Sequence, residues 1–318
     1  MTQQTTGQAR VIDPILTTHA QGYVRPGNVA KLLFPIATVM AYGGQVLEFG
    51  KEGFRRYNTK RAPGAETATI TFGYAGKPYT IISNALNAIL PREHLNDAAQ
   101  VPGIDLASDA VDVVLDVMEL SHEYDSADLA RDAARYDNDH KVTLTAQDRW
   151  KGTDGDPTAD IKAASEAIRK SIGVRPNTVI LSPSAFSACE INPKIIDRLK
   201  YTGRDSVTVE MLAKLWNVKT VAVGDAVGAS GTDDDFGDVW GNDVVVAYVA
   251  PPSGGNRRSA ARPSYGYTYA INGMPMVERP HWNDGRKSWI YGVTSDMAPV
   301  LSGITAGYLI KDAGADPV

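Results

Sequence analysis

The sequence predicts an α+β fold, and three observations carry that prediction. Residues 104–136, "IDLASDAVDVVLDVMELSHEYDSADLARDAARY", contain neither Gly nor Pro and read as one unusually long helix. Residues 158–252 alternate helical and strand patterns, as a compact α/β unit does. Segments before and after that unit alternate apolar and polar residues with the period of two that a strand requires. These flanking strands have no partner close in sequence. The α/β unit is therefore expected to be an insertion between an elongated β segment with its helix and a closing set of strands.

The first 30 residues are polar and rich in Thr, Gln and Gly, as suits an extended arm that becomes ordered by docking. "VAKLLFPIATVM" (29–40) is the first apolar run, and Pro35 interrupts it, which predicts an anchored turn rather than a helix. A hairpin follows, with arms at 45–49 and 67–74. In the second arm Ala68, Ile70, Phe72 and Tyr74 share one face, and Thr67, Thr69 and Thr71 the other. Between the arms lies a polar excursion carrying Lys51, Phe54, Arg55, Arg56, Tyr57, Lys60 and Arg61. An isolated two-stranded hairpin is marginal in water, so this one must lean on another surface.

At about 1.5 Å per residue the long helix would reach on the order of 45 Å, a spine for something broad. Leu106, Ala110, Val113, Val114, Val117 and Met118 follow the spacing of an apolar stripe, with Asp105, Asp109, Asp112, Asp116 and Glu119 expected on the opposite side. Residues 137–157 hold a short strand, "KVTLT", and a polar loop around Trp150. The α/β unit then reads as an amphipathic helix at 159–172, a strand at 177–182 and a helix opened by Ser182 and Pro183. Helices at "KIIDRL" and 206–216 follow, with strands at "VKTVAVGDA" and "DVVVAYVAP". Residues 253–318 return to β patterns, through "SYGYTYAING", "KSWIYGVTS" and "PVLSGITAGYLI".

Composition narrows the function. The 318 residues are 43% hydrophobic and 22% charged, which is globular, and a net charge of -5 argues against tight sequence-independent binding of DNA. The single cysteine, Cys189, cannot form an internal disulfide and is expected to be a buried small residue in a reducing compartment. No signal-peptide pattern opens the chain and no run approaches the ~20 apolar residues of a membrane span, so no membrane partner is expected.

No chemistry gathers anywhere. His19, His94, His122, His140 and His281 are scattered, and none of the metalloprotease, hydrolase, phosphate-loop or dinucleotide motifs occurs. The expectation is no catalytic residue, no cofactor and no metal. "GASGTDDDFGD" (228–238) places Asp233, Asp234, Asp235 and Asp238 in a Gly-rich loop; a hard cation is conceivable there, but the spacing is not that of an EF-hand and a solvated loop is the plainer reading. The basic cluster at 51–61 admits three readings: a nucleic-acid contact, a solvated loop, or a surface complementary to acidic residues on a neighbouring copy, such as the Asp-rich face of the long helix.

The order of these parts resembles the major capsid proteins of tailed bacteriophages with the HK97-like fold. The likeness rests on "VAKLLFPIATV", "GKEGFRRYNTKRAPGAE", "DRWKGTDGDPTADIKAA", "RPNTVILSPSAF", "VTVEMLAKLWNVKTVAVGDAV" and "VVVAYVAP", which occur in that order within residues 24–275. The resemblance implies an N-terminal arm (1–43) that reaches a neighbour and an extended hairpin loop (44–76). A peripheral domain with the spine helix (77–157), an axial domain (158–252) and return strands of the peripheral domain (253–318) would complete the subunit. It implies a coat protein, not an enzyme, that self-assembles into pentamers and hexamers of an icosahedral shell. That shell would form in the bacterial cytoplasm and enclose double-stranded DNA without sequence-specific contacts. A scaffolding protein separate from this chain, a portal and a decoration protein are the further partners implied. Another phage structural protein, or a cellular compartment shell of the same fold, is the alternative, followed by an α/β enzyme acting on a nucleotide.

Overall fold

Leu106–Arg131 forms a single helix of 26 residues in the computed structural model, and the other elements are disposed along it. The structure describes residues 12–47, 60, 76–98, 105–199, 206–229, 236–251 and 264–317. Asp105 starts the helix by accepting hydrogen bonds from the N–H groups of Ala107 and Ser108. Its end comes earlier than 136, because Asp132 turns extended and its carboxylate captures the N–H of Ala134, opening a short 3-10 turn at Ala133–Arg135. The rod is thus about 39 Å long.

The inner face of the helix is the expected one in part: Leu106, Ala110, Val114 and Met118 pack into the core, but two residues of the expected stripe do not. Val111, Val114 and Leu115 are buried, whereas Val113 and Val117 stand 64% and 52% exposed. Glu119, His122, Glu123 and Ser126 are buried instead. Packing on two flanks of the helix decides this. One flank meets a sheet and the other meets the N-terminal segment, so polar residues facing that segment are enclosed.

The first half of the helix packs against a helix at Pro14–Gly22 and a four-stranded antiparallel sheet. In this sheet Ser288–Thr294 pairs along its length with Ala85–Pro91, and also with His281–Asn283 and Met276–Val277. The strand at Ala85–Pro91 and the helix after it, Arg92–Ala98, carry no periodicity that marks them in sequence.

The second half packs against the α/β unit. Its five-stranded sheet runs Lys141–Thr143, Gly307–Lys311, Val244–Ala247, Thr178–Leu181, Thr220–Val223 in spatial order. Val244–Ala247 is fully buried and antiparallel to both neighbours, while the two outer pairings are parallel. Two of the five strands come from outside 158–252, so the unit is not self-contained: residues 141–143 and 307–311 complete its sheet. "PVLSGITAGYLI" accordingly splits. Met297–Leu301 serves one sheet and Gly307–Lys311 another, with a 3-10 turn at Ile304–Ala306 between them.

Helix Pro157–Ile172 shows how local sequence secures this unit. Asp156 caps it, Pro157 occupies its first turn and Gly173 ends it at φ 73°, a conformation that glycine adopts without strain. Ile161, Ala164, Ile168 and Ile172 face the core. Trp150 belongs to that core too: it is 1% exposed and donates its indole N–H to Asp160 Oδ2 at 2.8 Å. The segment 29–40 is more ordered than a turn. Ala30–Leu33 is a short helix, and Ile36–Val39 is a strand that joins Gly266–Ile271 and Met297–Leu301 in a three-stranded sheet.

Cys189 is fully buried on helix Pro183–Ile191, and burial pushes its thiol well up. A maleimide reagent is expected to leave the native protein unlabelled over hours and to label one thiol per chain once denaturant is added. Prompt labelling of the native protein would contradict this core.

Candidate functional site

Asp112, Asp116, Glu119 and Glu123 recur at intervals of four, three and four residues, which aligns them on one side of the helix. The chain's own residues 19–31 run alongside in the same direction. His19 Nε2 lies 2.7 Å from Asp112 Oδ1, and the Tyr23 hydroxyl donates to Asp116 Oδ1 at 2.6 Å. Arg25 Nη1 donates to the Asp116 carbonyl at 2.9 Å, and Lys31 Nζ meets Glu119 Oε2 at 2.7 Å. The ladder ends on Glu123, 1% exposed. Its carboxylate accepts the N–H groups of Val29 and Ala30 at 2.9 to 3.1 Å and the indole N–H of Trp240 at 2.7 Å. Burial raises the Glu123 carboxyl, and these donors act against that rise.

Two further polar contacts tie the helix to its surroundings. His122 Nε2 lies 3.0 Å from Thr268 Oγ1, which itself donates to the carbonyl of Phe34 at 2.9 Å. With the threonine proton so used, His122 Nε2 is the donor. Burial lowers its pKa to about 4. At the far end Arg131 Nε donates to Asp243 Oδ2 at 2.7 Å and Nη1 to the Val239 carbonyl at 2.9 Å. Gly241, at φ 55°, makes room: a Cβ there would sit 2.1 Å from Arg131 Nη2.

These contacts correct the expected acidic face. Asp105 is a helix cap and Asp109 is exposed, but Asp112, Asp116 and Glu119 are engaged by the chain's own N-terminal segment. Within residues 12–31, therefore, the arm is docked on its own spine. His19, Tyr23, Arg25, Lys31, Glu123 and Trp240 had no marking in sequence as a group, although the four-three-four acidic spacing was a usable signal. His140 is structural, bonding the Gly307 carbonyl at 2.9 Å and Ser171 Oγ at 2.7 Å.

The hairpin has a defined base. Gly43–Leu47 pairs antiparallel with Gly76–Thr80, from Gly43 opposite Thr80 to Leu47 opposite Gly76. Tyr79 stacks on Tyr269 at 4.4 Å, and Val46 and Ile81 are buried beside Tyr267. Tyr42 donates its hydroxyl to Asp296 Oδ2 at 2.7 Å, and Asp296 Oδ1 takes the N–H of Asn84 at 3.3 Å. The base thus leans on the three-stranded sheet. The expected second arm at 67–74 and Lys51, Phe54, Arg55, Arg56, Tyr57 and Arg61 lie outside the described residues; Lys60 is described and exposed. Asp233, Asp234 and Asp235 also lie outside them, and Asp238 is exposed in a short strand, Phe236–Asp238.

No protein-family model matches the chain. The major capsid protein of Burkholderia phage BcepMu is 34% identical over 302 residues, which cover 95% of this chain and 96% of that one. The crystal structure of a phage-related protein from Bordetella bronchiseptica superposes with a TM-score of 0.85 at 53% identity, covering 98% of this chain and 100% of that chain. The capsid structure of cyanophage P-SCSP1u shares the fold at a TM-score of 0.57 and 10% identity, over 91% of this chain and 89% of that one.

Replacing Glu123 by Ala strands three buried N–H donors and is expected to cost about 3 kcal/mol in urea unfolding, whereas Asp109→Ala at an exposed position should stay within about 0.5 kcal/mol. His122 supplies a pH dependence. Its folded pKa, about 4, lies below the ordinary 6.5, so as the pH falls the unfolded chain takes up the proton first. Its contribution is complete above pH 6.5 and drains away down to about pH 4, amounting to roughly 3 kcal/mol at about 1.4 kcal/mol per pH unit. In His122→Gln the slope of unfolding free energy over that window should flatten; an unchanged slope would remove His122 as its source.

Proposed function

The chain belongs to the family of phage major capsid proteins with the HK97-like fold, and from that premise we propose that its copies close into rings of five and six that tile an icosahedral shell around packaged double-stranded DNA. The observation that carries this reading is end-to-end likeness to a phage major capsid protein, over 95% of one chain and 96% of the other. Its role is structural, and its place is the virion capsid.

In this proposal the five-stranded α/β unit is the axial domain at each ring centre. The spine helix with the four-stranded sheet is the peripheral domain. The hairpin is the contact between neighbours, with Lys51, Phe54, Arg55, Arg56, Tyr57, Lys60 and Arg61 at the subunit interface. The remaining exposed acidic charge of the helix belongs to that same interface. What supports the hairpin's role is its anchoring: a base held by Tyr79 on Tyr269 and Tyr42 on Asp296 gives whatever lies beyond it a fixed origin. Individual contacts can be weak, because simultaneous engagement of many edges multiplies modest pairwise free energies. A net charge of -5 suits a container that does not grip its cargo. Assembly takes place in the host cytoplasm, with a scaffolding protein, a portal and a decoration protein as partners.

Deletion of residues 51–65 should leave a soluble, folded subunit that makes no shells in electron micrographs, while the intact chain makes closed icosahedral particles. Shells of normal appearance from the deletion variant would refute the hairpin's role.

A further inference from the structure

The N-terminal segment enters the fold along one border of the four-stranded sheet. Ile12 forms an antiparallel bridge with Glu278, Asp13 N–H donates to the Val277 carbonyl at 3.0 Å, and Thr17 Oγ1 accepts the Val277 N–H at 3.0 Å. Both backbone groups of Val277 on that border are thereby used. Further along it the partners stop. Strand His281–Asn283 pairs inward with residues 288–290, and among the described residues no backbone hydrogen bond reaches its outer side. Trp282, half-buried on this strand, packs edge-on against Trp289 at 5.8 Å and leaves Trp289 37% exposed.

We propose that residues 7–11 of the same chain seat on this outer edge as a further strand, antiparallel to residues 279–283, and cap it. The bridge at Ile12 sets the direction: as the chain is followed back from Ile12, the partner runs forward from Glu278. It also sets the register to within one residue. Four residues separate Val277 from His281 while three separate their partners Val293 and Ile290, so the border strand carries a bulge between them. Ala9 or Arg10 then falls opposite His281, according to whether the added strand follows that bulge.

Three further points select this occupant. Residues 1–11 lie outside the described residues and precede a point already on the border, and five residues on each strand span the distance from the bridge to Asn283 at about 3.4 Å per residue. Residues 1–12 contain no Pro and include the β-branched Thr5, Thr6, Val11 and Ile12. A segment tethered at Ile12 also meets its seat at an effective concentration that a separate chain in dilute solution does not reach. The cap has a physical purpose, because an open edge offers unpaired backbone groups to any extended chain. Pro280, which has no N–H to offer, sits on the same border. This assignment concerns the single subunit, keeps residues 7–11 on their own sheet rather than on a neighbour, and does not depend on the shell reading.

Paired cysteines and amide exchange test it. With His281→Cys and either Ala9→Cys or Arg10→Cys in one chain, mild oxidation should close a disulfide within the monomer for at least one pair, while the buried Cys189 takes no part. No intrachain disulfide from either pair overturns the proposal. Chains bearing only His281→Cys, mixed with chains bearing only Ala9→Cys or only Arg10→Cys, should stay unlinked to each other; a mixed disulfide-linked dimer shows that the segment is exchanged between copies and overturns the assignment to the same chain. Deleting residues 2–11 should speed exchange of at least one amide within His281–Asn283 by about tenfold or more, with the circular dichroism of the fold retained. Where the deletion does not fold, Gln8→Pro with Arg10→Pro breaks the added strand in the full chain and should speed the same exchange. Unchanged exchange in the folded variant overturns the cap.

Discussion

A carboxylate enclosed without donors is among the most unfavourable groups a protein can hold, and Glu123 is enclosed at the junction of three parts of this molecule. The backbone N–H groups of Val29 and Ala30 come from the N-terminal segment, the indole N–H comes from Trp240 in the α/β unit, and the carboxylate comes from the spine. None of the three parts can satisfy it alone. Their relative placement is therefore tied to one side chain, and the upstream contacts at Asp112, Asp116 and Glu119 keep the segment in step as it approaches.

The same reasoning explains which surfaces are closed and which stay open. The side of the helix that meets residues 19–31 has its charges answered within the chain. The opposite side, from Val113 and Val117 to Asp125 and Asp128, is answered by nothing among the described residues.

Sequence periodicity was a sound guide where one partner decides burial. Helix Pro157–Ile172, strand Thr178–Leu181 and the Ser182–Pro183 helix start appear where the pattern puts them, because each has a single apolar face, or none exposed, and a local cap. It was a poorer guide where two partners compete. On the spine, Val113 and Val111 are both plausible inward residues by spacing, and only the positions of the four-stranded sheet and the N-terminal segment turn Val111 in and leave Val113 out. Strand Ala85–Pro91 is unmarked in the sequence for a related reason: Leu86 and Ile89 are exposed on it, so its apolar residues do not alternate. Of the candidate site, the acidic residues were legible as a group, but their partners at 19–31 were not, since nothing in a polar segment says which helix it will lie on.

By itself the sequence determined the α+β class, the existence and approximate span of the spine and the order of the parts, because these follow from local propensity and periodicity; the likeness to phage coat proteins rested on its sequence segments instead. Tertiary structure alone decided that strands 141–143 and 307–311 complete the α/β sheet. It also decided that the arm closes on its own helix, engaging Asp112, Asp116 and Glu119. Those outcomes depend on contacts between segments some 90 to 260 residues apart, as in Lys31 with Glu119 and Thr17 with Val277, and no local pattern encodes a partner at that separation.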